Sequence, residues 1–463
     1  MKKASWKSSF LLSIFLFSLC INAVGRSFNP LHFGLLKAHT GEERYWILYK
    51  THLEAFKYNG IVDYGGVDTI EIDIPKDAKP IPLTGATDFK GAALIVGCNH
   101  ADALLFELKQ KSDPIEIEKK DVAEGNYIYK EELRKGLFLL ILKDENPWVL
   151  QRKGYKYGHI RKDVVVVKDG RGENSTITDY NNDYTTVSAT FCPVTSQKKT
   201  IENLVVYRKK GNSKIAYVIG VNNQYNVHFR NIEIHTPNDS LVRDYIIRVD
   251  NSAKIQFNNI SIDGTYSRKN MVGYGISLNN VYDVSFIGLK AEANWGVFGN
   301  NNLNHVTLKH CDINRFDIHC YGKDIDISNC TFRNLYNQFS SIYGTISFQD
   351  CDFINFTPVL FENSYNAFTK FKLLFKDCRI VADKAHNFLI RANDLDRANL
   401  NERFELRKKE YPDLYIDGLT ILMSKDISEY YIYKFYSNQL KWPRDTIPHL
   451  KRARKIRQMN KYN

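Results

Sequence analysis

Apolar and polar residues alternate in five stretches of the chain that can be aligned with almost no gaps. They cover residues 217–227, 245–255, 274–284, 296–306 and 316–325. Each stretch predicts a short strand, a polar turn built on Asn-Asn or its equivalent, and the start of a second strand. The starts are roughly 20–29 residues apart, a spacing typical of solenoids. Because no helical periodicity intervenes, each repeat predicts one coil of a parallel β-helix.

The second strand of each repeat extends the pattern in both directions. An Asn, Gly, His or Asp stands one position before an inward apolar residue or cysteine. These residues are Asn203, Asn231, Asn259, Gly288, His310, Asn329, Asp350, Asp377 and Gly418. Coils that stack ~4.8 Å apart superpose equivalent positions, so we expect one column of hydrogen-bonded or packed side chains.

The N-terminus has the layout of a secretory signal peptide. Lys2, Lys3 and Lys7 precede an apolar run over 10–19, and cleavage is expected after Ala23. A lipoprotein at Cys20 is disfavoured, since a small residue normally precedes such a cysteine. No later segment has the ~20 apolar residues that span a bilayer. We therefore expect an exported protein, periplasmic or extracellular, without a transmembrane helix.

The remaining chain predicts one domain with appendages. Residues 1–23 form the signal peptide, 24–59 a lead-in, 60–425 the β-helix and 426–463 a basic C-terminal tail, with regular coils from about 200. Residues 92–108 are expected to close the N-terminal end, because an open end would expose strand edges and core. The charged segment 109–135 predicts a loop or lateral insertion.

Four of the eight cysteines share one position in successive coils. Cys311, Cys330, Cys351 and Cys378 each follow a residue of the column described above. They should point inward, where a free cysteine behaves as a small apolar residue. A straight stack cannot surround one metal ion tetrahedrally, so no metal site is predicted there.

The net charge favours an anionic partner. The formal charge is +12, and loss of three signal-peptide lysines leaves 12 − 3 = +9. A basic exported protein attracts polyanions, which outside cells include acidic polysaccharides. The sequence carries no nucleic-acid-binding motif, so nucleic acid is not the expected partner. The oligomeric state stays open.

One strand carries three different ionisable groups. Alternation over 315–320 directs Arg315, Asp317 and His319 outward. Their neighbours in the preceding coils include Arg248 and Gly299, and the glycine should leave a depression. Tyr321 and Lys323 follow in the same strand. The pattern predicts a catalytic or binding groove, although Arg315 and Asp317 could instead form an ion pair at the coil edge.

Two carboxylates are expected at the same corner. Asp263 and Glu292 occupy equivalent positions in adjacent coils, and Trp295 could offer a flat surface to a sugar ring. The two carboxylates could act as a catalytic pair, bind a cation such as Ca²⁺, or pair with nearby basic residues. No motif requires a cofactor.

A further alternating segment spans 155–161. If it is extended, Tyr157 and His159 lie on one side and could line a subsite for a charged sugar. An amphipathic edge strand or loop explains the same pattern.

Over most of 60–425, the sequence resembles the pectate lyase-like superfamily. The segment from Trp295 to Asn300, followed by 315–320, looks like one found in uncharacterised bacterial and phage β-helix proteins. The resemblance implies an all-β, right-handed parallel β-helix that acts on or binds polysaccharide. It carries no established reaction, because fold alone does not fix function. The chain lacks the paired-aspartate, Gly-His-Gly pattern of polygalacturonases and the calcium cluster of pectate lyases.

Three functions stay open at this point. The first is cleavage of an acidic polysaccharide by β-elimination, with Arg315 neutralising the carboxylate, His319 abstracting the proton and Asp317 orienting the imidazole. Tyr321 or Lys323 would assist protonation. The second is a glycoside hydrolase that uses Asp263, Glu292 or Asp317 as a carboxylate pair. The third is a non-catalytic glycan-binding or surface β-helix protein.

Overall fold

The structure is a computed structural model of the chain. It describes residues 25–118, 121, 130–145, 149–150, 158–177, 187–235, 246–263, 274–291, 296–334, 336–361, 371–393, 412–427, 430–436 and 450–460. The signal-peptide prediction lies outside these residues.

The described elements are mainly strands. The N-terminal part contains 3₁₀ turns at Pro30–Phe33 and Leu35–Lys37, helix α1 (Gly41–Lys57), and strands β1 (Ser27–Phe28), β2 (Ile61–Asp63), β3 (Thr69–Asp73), β4 (Ile81–Pro82), β5 (Ala86–Asp88) and β6 (Ala93–Lys109). A 3₁₀ turn at Glu131–Leu133 and the next strands follow: β7 (Asp113–Ile115), β8 (Leu137–Asp144), β9 (Val149–Leu150), β10 (Gly158–His159), β11 (Lys162–Lys168), β12 (Arg171–Gly172) and β13 (Val187–Val194).

The remaining strands are longer and more regular. They are β14 (Lys199–Asn222), β15 (Tyr225–His235), β16 (Ile247–Asp263), β17 (Tyr274–Ile287), β18 (Lys290–Ala291), β19 (Gly296–Lys309), β20 (Asp312–Ile313), β21 (Ile318–Ser328), β22 (Thr331–Arg333), β23 (Tyr336–Phe339), β24 (Ile342–Gln349), β25 (Asp352–Ile354), β26 (Thr357–Phe361), β27 (Lys372–Ala382), β28 (Phe388–Asn393), β29 (Asp413–Met423), β30 (Tyr431–Tyr436) and β31 (Leu450–Asn460).

Strands of successive coils pair in parallel, which confirms the parallel β-helix. The series β14, β15, β16, β17 and β19 runs in register over long stretches, with Val227 opposite Ile255, Ile255 opposite Val284 and Val284 opposite Val306. Inward columns of apolar residues fill the interior. The Phe229, Phe257 and Phe286 rings stack there with centroids 5.0 and 4.6 Å apart. The core is therefore a continuous stack rather than a set of separate clusters.

The predicted column of turn residues is confirmed. Pairing on either side places its members opposite one another from coil to coil. All nine members have positive φ, a conformation that Asn, Asp and Gly tolerate better than most residues. Side-chain amides link three of them, because Asn259 donates to Asn231 at 2.9 Å and Asn231 donates to Asn203 at 2.9 Å. The column thus turns the backbone and joins neighbouring coils.

The four cysteines lie behind this column as predicted. Cys311, Cys330, Cys351 and Cys378 are buried, and the structure gives each as a free thiol. The Cys311 amide nitrogen lies 3.4 Å from the Cys330 Sγ, so neighbouring members are in contact.

Helix α1 covers the N-terminal end of the core. Thr40 and Glu43 form a capping box that starts the helix. Tyr45, Leu48 and His52, at i, i+3 and i+7, are fully buried on its inner face. The prediction that 92–108 closes this end was wrong, because those residues lie in β6, which pairs with β3 and β14 as an ordinary coil strand.

A lateral insertion stands on one side of the solenoid. Strands β12, β11, β8, β13 and β7 form an antiparallel sheet, in that order. Its apolar face includes Leu139, Val164 and Cys192, which pack on Tyr225 and Ala253 of the coils. The insertion is thus larger than the predicted 109–135 and is a folded unit.

Parallel pairing continues beyond the predicted end of the β-helix. Strand β31 (Leu450–Asn460) pairs with β29, and β30 pairs with β28. Part of the basic C-terminal segment therefore belongs to the solenoid.

Candidate functional site

Arg315 and Asp317 are buried, which contradicts the predicted solvent-facing groove. Their side chains are 1% and 0% exposed, and Arg315 Nε lies 2.5 Å from Asp317 Oδ2. Gln338 of the next coil closes over the pair. Its backbone amide donates to Asp317 Oδ1 at 2.9 Å, and its side-chain oxygen accepts from Arg315 at 2.7 Å. These two residues hold coils together and do not face a ligand.

A shift of register explains the error. The sequence alignment placed Gly299 beside His319, but Asn300 pairs with Ile318 and Asn301 with Cys320. His319 is the extra residue of this β-bulge, and 314–317 precede the strand. Strict alternation therefore fails over the segment from which the groove was inferred. The earlier part of the column, Gly220–Arg248–Ser277–Gly299, is confirmed.

Neighbouring groups stabilise the buried guanidinium. Burial opposes the charged form of Arg315, but the Asp317 carboxylate and the nearby Tyr336 more than offset it, and the pKa of Arg315 lies above its ordinary value. The guanidinium carbon also lies 4.5 Å from the centroid of the Tyr336 ring, a cation–π contact. Arg315 stays positively charged inside the fold.

His319 differs from its two neighbours because it reaches the surface. Its side chain is 14% exposed, and Nε2 lies 3.7 Å from Asp317 Oδ2. The same nitrogen is 3.3 Å from the Tyr274 hydroxyl. The imidazole thus lies between a buried carboxylate and a phenol, which is an arrangement suited to moving protons.

Gly299 makes this arrangement possible. A Cβ at position 299 would lie 2.9 Å from the ring of Tyr274, closer than side chains normally approach. The missing side chain therefore allows the Tyr274 ring to lie against the strand and to reach His319. The sequence indicated this glycine, but it predicted an empty depression there, whereas the Tyr274 ring occupies that space.

A polar surface extends from this point toward the earlier coils. Arg248 is 44% exposed, its Nε is 2.5 Å from Asp250 Oδ2, and its guanidinium donates to the Tyr217 hydroxyl at 3.2 Å. Burial opposes the charge of Arg248, but Asp250 and Tyr217 raise its pKa overall. Lys162 of the insertion lies nearby, and burial lowers its pKa. Arg248 is therefore an accessible, permanently charged cation beside the candidate site.

Contrary to the prediction, Tyr321 and Lys323 do not reach a groove. Tyr321 is fully buried and packs on Ile177 of the insertion. The Lys323 Nζ donates to the Ser175 hydroxyl at 2.8 Å and to the Thr176 carbonyl at 3.0 Å. Both residues fix the insertion to the solenoid, since they lie after the bulge on the side where it docks.

The predicted carboxylate pair is described only in part. Asp263 is 61% exposed, and its Oδ2 is 2.8 Å from Nδ1 of His235, which stacks on Tyr207. Glu292 and Trp295 lie outside the described residues, so their proximity to Asp263 stays a prediction. In the part of the chain that the structure describes, no group of three His, Cys, Asp or Glu residues could hold a metal ion.

The segment 155–161 is also described only in part. Tyr157 lies outside the described residues, and His159 belongs to β10, which pairs with β9, without a described side chain. Arg161 is 2% exposed and forms an ion pair with Asp144 at 3.2 Å. This arginine stabilises the insertion and is not available to a ligand.

Sequence reasoning missed three members of the site. Tyr274 was noted only as the start of a strand, and Gln338 and Tyr336 belong to the coil after the aligned set. The adjacent amides Asn337 and Gln338 in the short strand β23 were a signal, because buried polar side chains need partners.

Comparisons with known proteins add no identity. Neither a protein-family model nor a curated protein sequence matches the chain. The tailspike protein gp49 from Pseudomonas phage LKA1 is similar in structure, with 12% identity, a TM-score of 0.49, and 89% of this chain and 81% of that chain covered. The gp54 tailspike of Acinetobacter baumannii bacteriophage AP22, solved with a capsular saccharide, has 10% identity, a TM-score of 0.48, and coverages of 89% and 72%.

An adhesin gives a similar result. The surface protein PfbA of Streptococcus pneumoniae has 10% identity, a TM-score of 0.42, and coverages of 89% and 98%. At these values the likenesses support no functional argument. Among the described residues, no helix is both long and apolar enough to cross a membrane.

Proposed function

We propose that this protein is an exported enzyme that cleaves an acidic polysaccharide by β-elimination. The observation that carries the proposal is the position of His319, whose partly exposed imidazole lies 3.3 Å from the Tyr274 hydroxyl and 3.7 Å from the buried Asp317 carboxylate. A base, an acid and an orienting carboxylate are the groups that this reaction needs.

The proton balance of the reaction fits this set of groups. The imidazole of His319 takes the proton from the carbon next to the uronate carboxyl, and the ring carbon–carbon double bond forms as the glycosidic carbon–oxygen bond breaks. The Tyr274 hydroxyl gives its proton to the leaving oxygen. The imidazolium then returns a proton to the phenolate across their hydrogen bond, which restores both groups.

Arg315 is not the cation for the substrate carboxylate, because its side chain is only 1% exposed and lies inside the fold. Arg248 supports the proposal instead. It is partly exposed and lies in the column that leads to Gly299. A carboxylate two coils from the reacting sugar could bind there. The net charge of 12 − 3 = +9 expected after loss of the signal peptide agrees with an anionic substrate.

The test is incubation of the mature protein with a panel of uronate-containing polysaccharides. Elimination gives a product with ultraviolet absorbance and a mass one water below the hydrolysis product. His319→Ala and Tyr274→Phe should each lower turnover by at least ~100-fold, a typical contribution of an acid or base. His305→Asn is the matched control, since His305 is exposed and Asn tolerates its positive φ.

Three results would contradict this proposal. Turnover of His319→Ala at the wild-type rate would place the chemistry elsewhere. Reducing ends without unsaturation would favour a hydrolase, for which Asp263 is the exposed carboxylate that the structure describes. An absence of product across the panel would also count against it.

A non-catalytic glycan-binding protein is the second candidate. It is favoured by the burial of Arg315 and Asp317, which gives the most distinctive part of the motif a structural role. Tight binding of a glycan without any product, unchanged in His319→Ala, would support this candidate against the enzyme.

A further inference from the structure

A cleft of about 990 Å³ lies at the N-terminal end of the solenoid, away from His319. It is bounded by the end of helix α1 with its following turn (56–61), by 83–86 at the edge of the first coils, and by 195–199. None of its lining residues belongs to the strands that carry Tyr274 or His319. Its volume lies within the range of ligand pockets in proteins.

The charges around this cleft have one sign. Arg26, Lys109, Lys198 and Lys199 all line it, whereas no Asp or Glu is among the described residues of the lining. Glu107 stands outside the lining and forms an ion pair with Lys109 at 3.8 Å. A concave surface lined by cations alone focuses a positive potential and attracts anions.

Lys199 marks the inner part of the cleft. It is half-buried, and its Nζ donates to the Gln224 side-chain oxygen at 2.8 Å. Burial lowers the pKa of Lys199. A bound anion would supply the counter-charge that its protein neighbours do not, so binding there would favour the charged amine.

Aromatic side chains also line the cleft. Phe56 is 54% and Tyr58 is 55% exposed. Arg26 lies over the Tyr58 ring at 5.0 Å, which fixes a cation beside the aromatic edge. Sugar rings present apolar C–H faces together with polar edges, and exposed aromatic rings beside polar groups suit them.

We propose that this cleft binds a carboxylated oligosaccharide at a site separate from the one at His319. The four cations come from three segments of the chain, at 26, 109 and 198–199, and can pair with several carboxylates of a sugar chain, while Gln197 and Gln224 offer amides for hydroxyl groups. A free phosphate has no apolar face for the exposed Phe56 and Tyr58 rings of the lining. Nucleic acid is disfavoured because no nucleic-acid-binding motif accompanies them.

The experiment is titration of the full chain with oligogalacturonate and oligomannuronate, with the same oligomers after carboxyl reduction, and with a single-stranded oligonucleotide of similar charge. The intact carboxylated oligomers should bind, and more weakly at about 200 mM than at about 50 mM salt. The combined substitution Lys109→Gln and Lys198→Gln should weaken binding at least ~10-fold, which is about 1.4 kcal/mol. The change of Phe56→Ser should also weaken it.

The matched control is Lys76→Gln with Lys168→Gln, which removes the same charge from exposed lysines outside the cleft. Equal affinities of the two double variants, absent binding of both uronate oligomers, or binding of the oligonucleotide at least as tightly would overturn the proposal.

The cleft and the proposed active site can fail separately. His319→Ala should bind the oligomers as the wild type does, since His319 does not line the cleft. The Lys109→Gln and Lys198→Gln variant should still cleave short oligomers if the enzyme proposal holds. If that variant lost both turnover and binding, the two sites would be one.

Discussion

Arg315 and Asp317 form an ion pair inside the solenoid, with Nε and Oδ2 2.5 Å apart and both side chains at most 1% exposed. Two residues that sequence alternation directs toward solvent therefore connect one coil to the next through Gln338. Removal of one partner from a buried pair leaves the other charge without compensation, which costs far more than the loss of a surface pair.

Asp317→Asn should therefore lower the free energy of unfolding by about 3–5 kcal/mol. Asp352→Asn is the matched control, because Asp352 holds Arg379 in a two-bond ion pair at the surface. Loss of this surface ion pair should lower the free energy of unfolding by less than about 1 kcal/mol. Urea unfolding of both variants measures the difference, and a similar small cost at the two positions would contradict a structural role for the buried pair.

The asparagine column gives a second prediction. Asn231 has φ 51° and hydrogen-bonds through its amide to both Asn203 and Asn259. Asn231→Ala loses both bonds and adds strain, so we expect a loss of about 2–4 kcal/mol in unfolding free energy. Asn231→Gly keeps the backbone geometry and should lose less. Equal losses in the two variants would mean that the backbone conformation contributes nothing.

Gly288 allows the converse test of the same column, in which a side chain is added rather than removed. It continues the column after Asn259 with φ 70°, and a Cβ there would meet nothing closer than 3.9 Å. Gly288→Asn should therefore be tolerated and could extend the ladder, whereas Gly288→Val should destabilise the protein because a β-branched residue is strained at positive φ.

Much of the fold follows from the sequence because a solenoid repeats its constraints. Each turn residue must adopt positive φ and each inward residue must be apolar, so the same pattern recurs at every coil. A position that is ambiguous in one coil is then settled by its counterparts in the other coils. The column from Asn203 to Gly418 was predictable for this reason. The helix that covers the end is not part of the coil repeat. Its position next to Tyr64 depends on packing that the aligned segments of the sequence do not indicate.

The site was harder to predict because it lies where the repeat is broken. The β-bulge at His319 adds one residue to this strand, and 314–317 precede the strand, so alternation cannot be extended upstream to Arg315 and Asp317. His319 remained a sound candidate since it lies at the bulge itself. Tyr274 could not be chosen from the sequence, because its approach depends on the empty space above Gly299.

The cysteine stack predicts chemical behaviour. Cys311, Cys330, Cys351 and Cys378 are buried and free, so a thiol reagent should not label them in the native protein. After denaturation without reductant, all four should react. Mass spectrometry of the labelled peptides measures this directly, and recovery of these peptides as disulfides would contradict the structure.

Stability should fall with acid because of His52. This histidine is fully buried under the N-terminal helix, 2.8 Å from the Tyr64 hydroxyl, and burial lowers its pKa from 6.5 to about 3. Its unfolded form therefore binds a proton below pH 6.5 while the folded form stays neutral, so stability is fully present above that pH and declines as the pH falls toward the folded pKa. At a pH one unit below the unfolded value, the loss should be about 1.4 kcal/mol. Urea unfolding at about pH 7.5 and 5.5 measures it.

His52→Gln and His52→Phe should each remove this part of the pH dependence whatever their overall stability, whereas His39→Gln, at an exposed position, should keep it. A pH dependence unchanged in both His52 variants would show that other groups cause it.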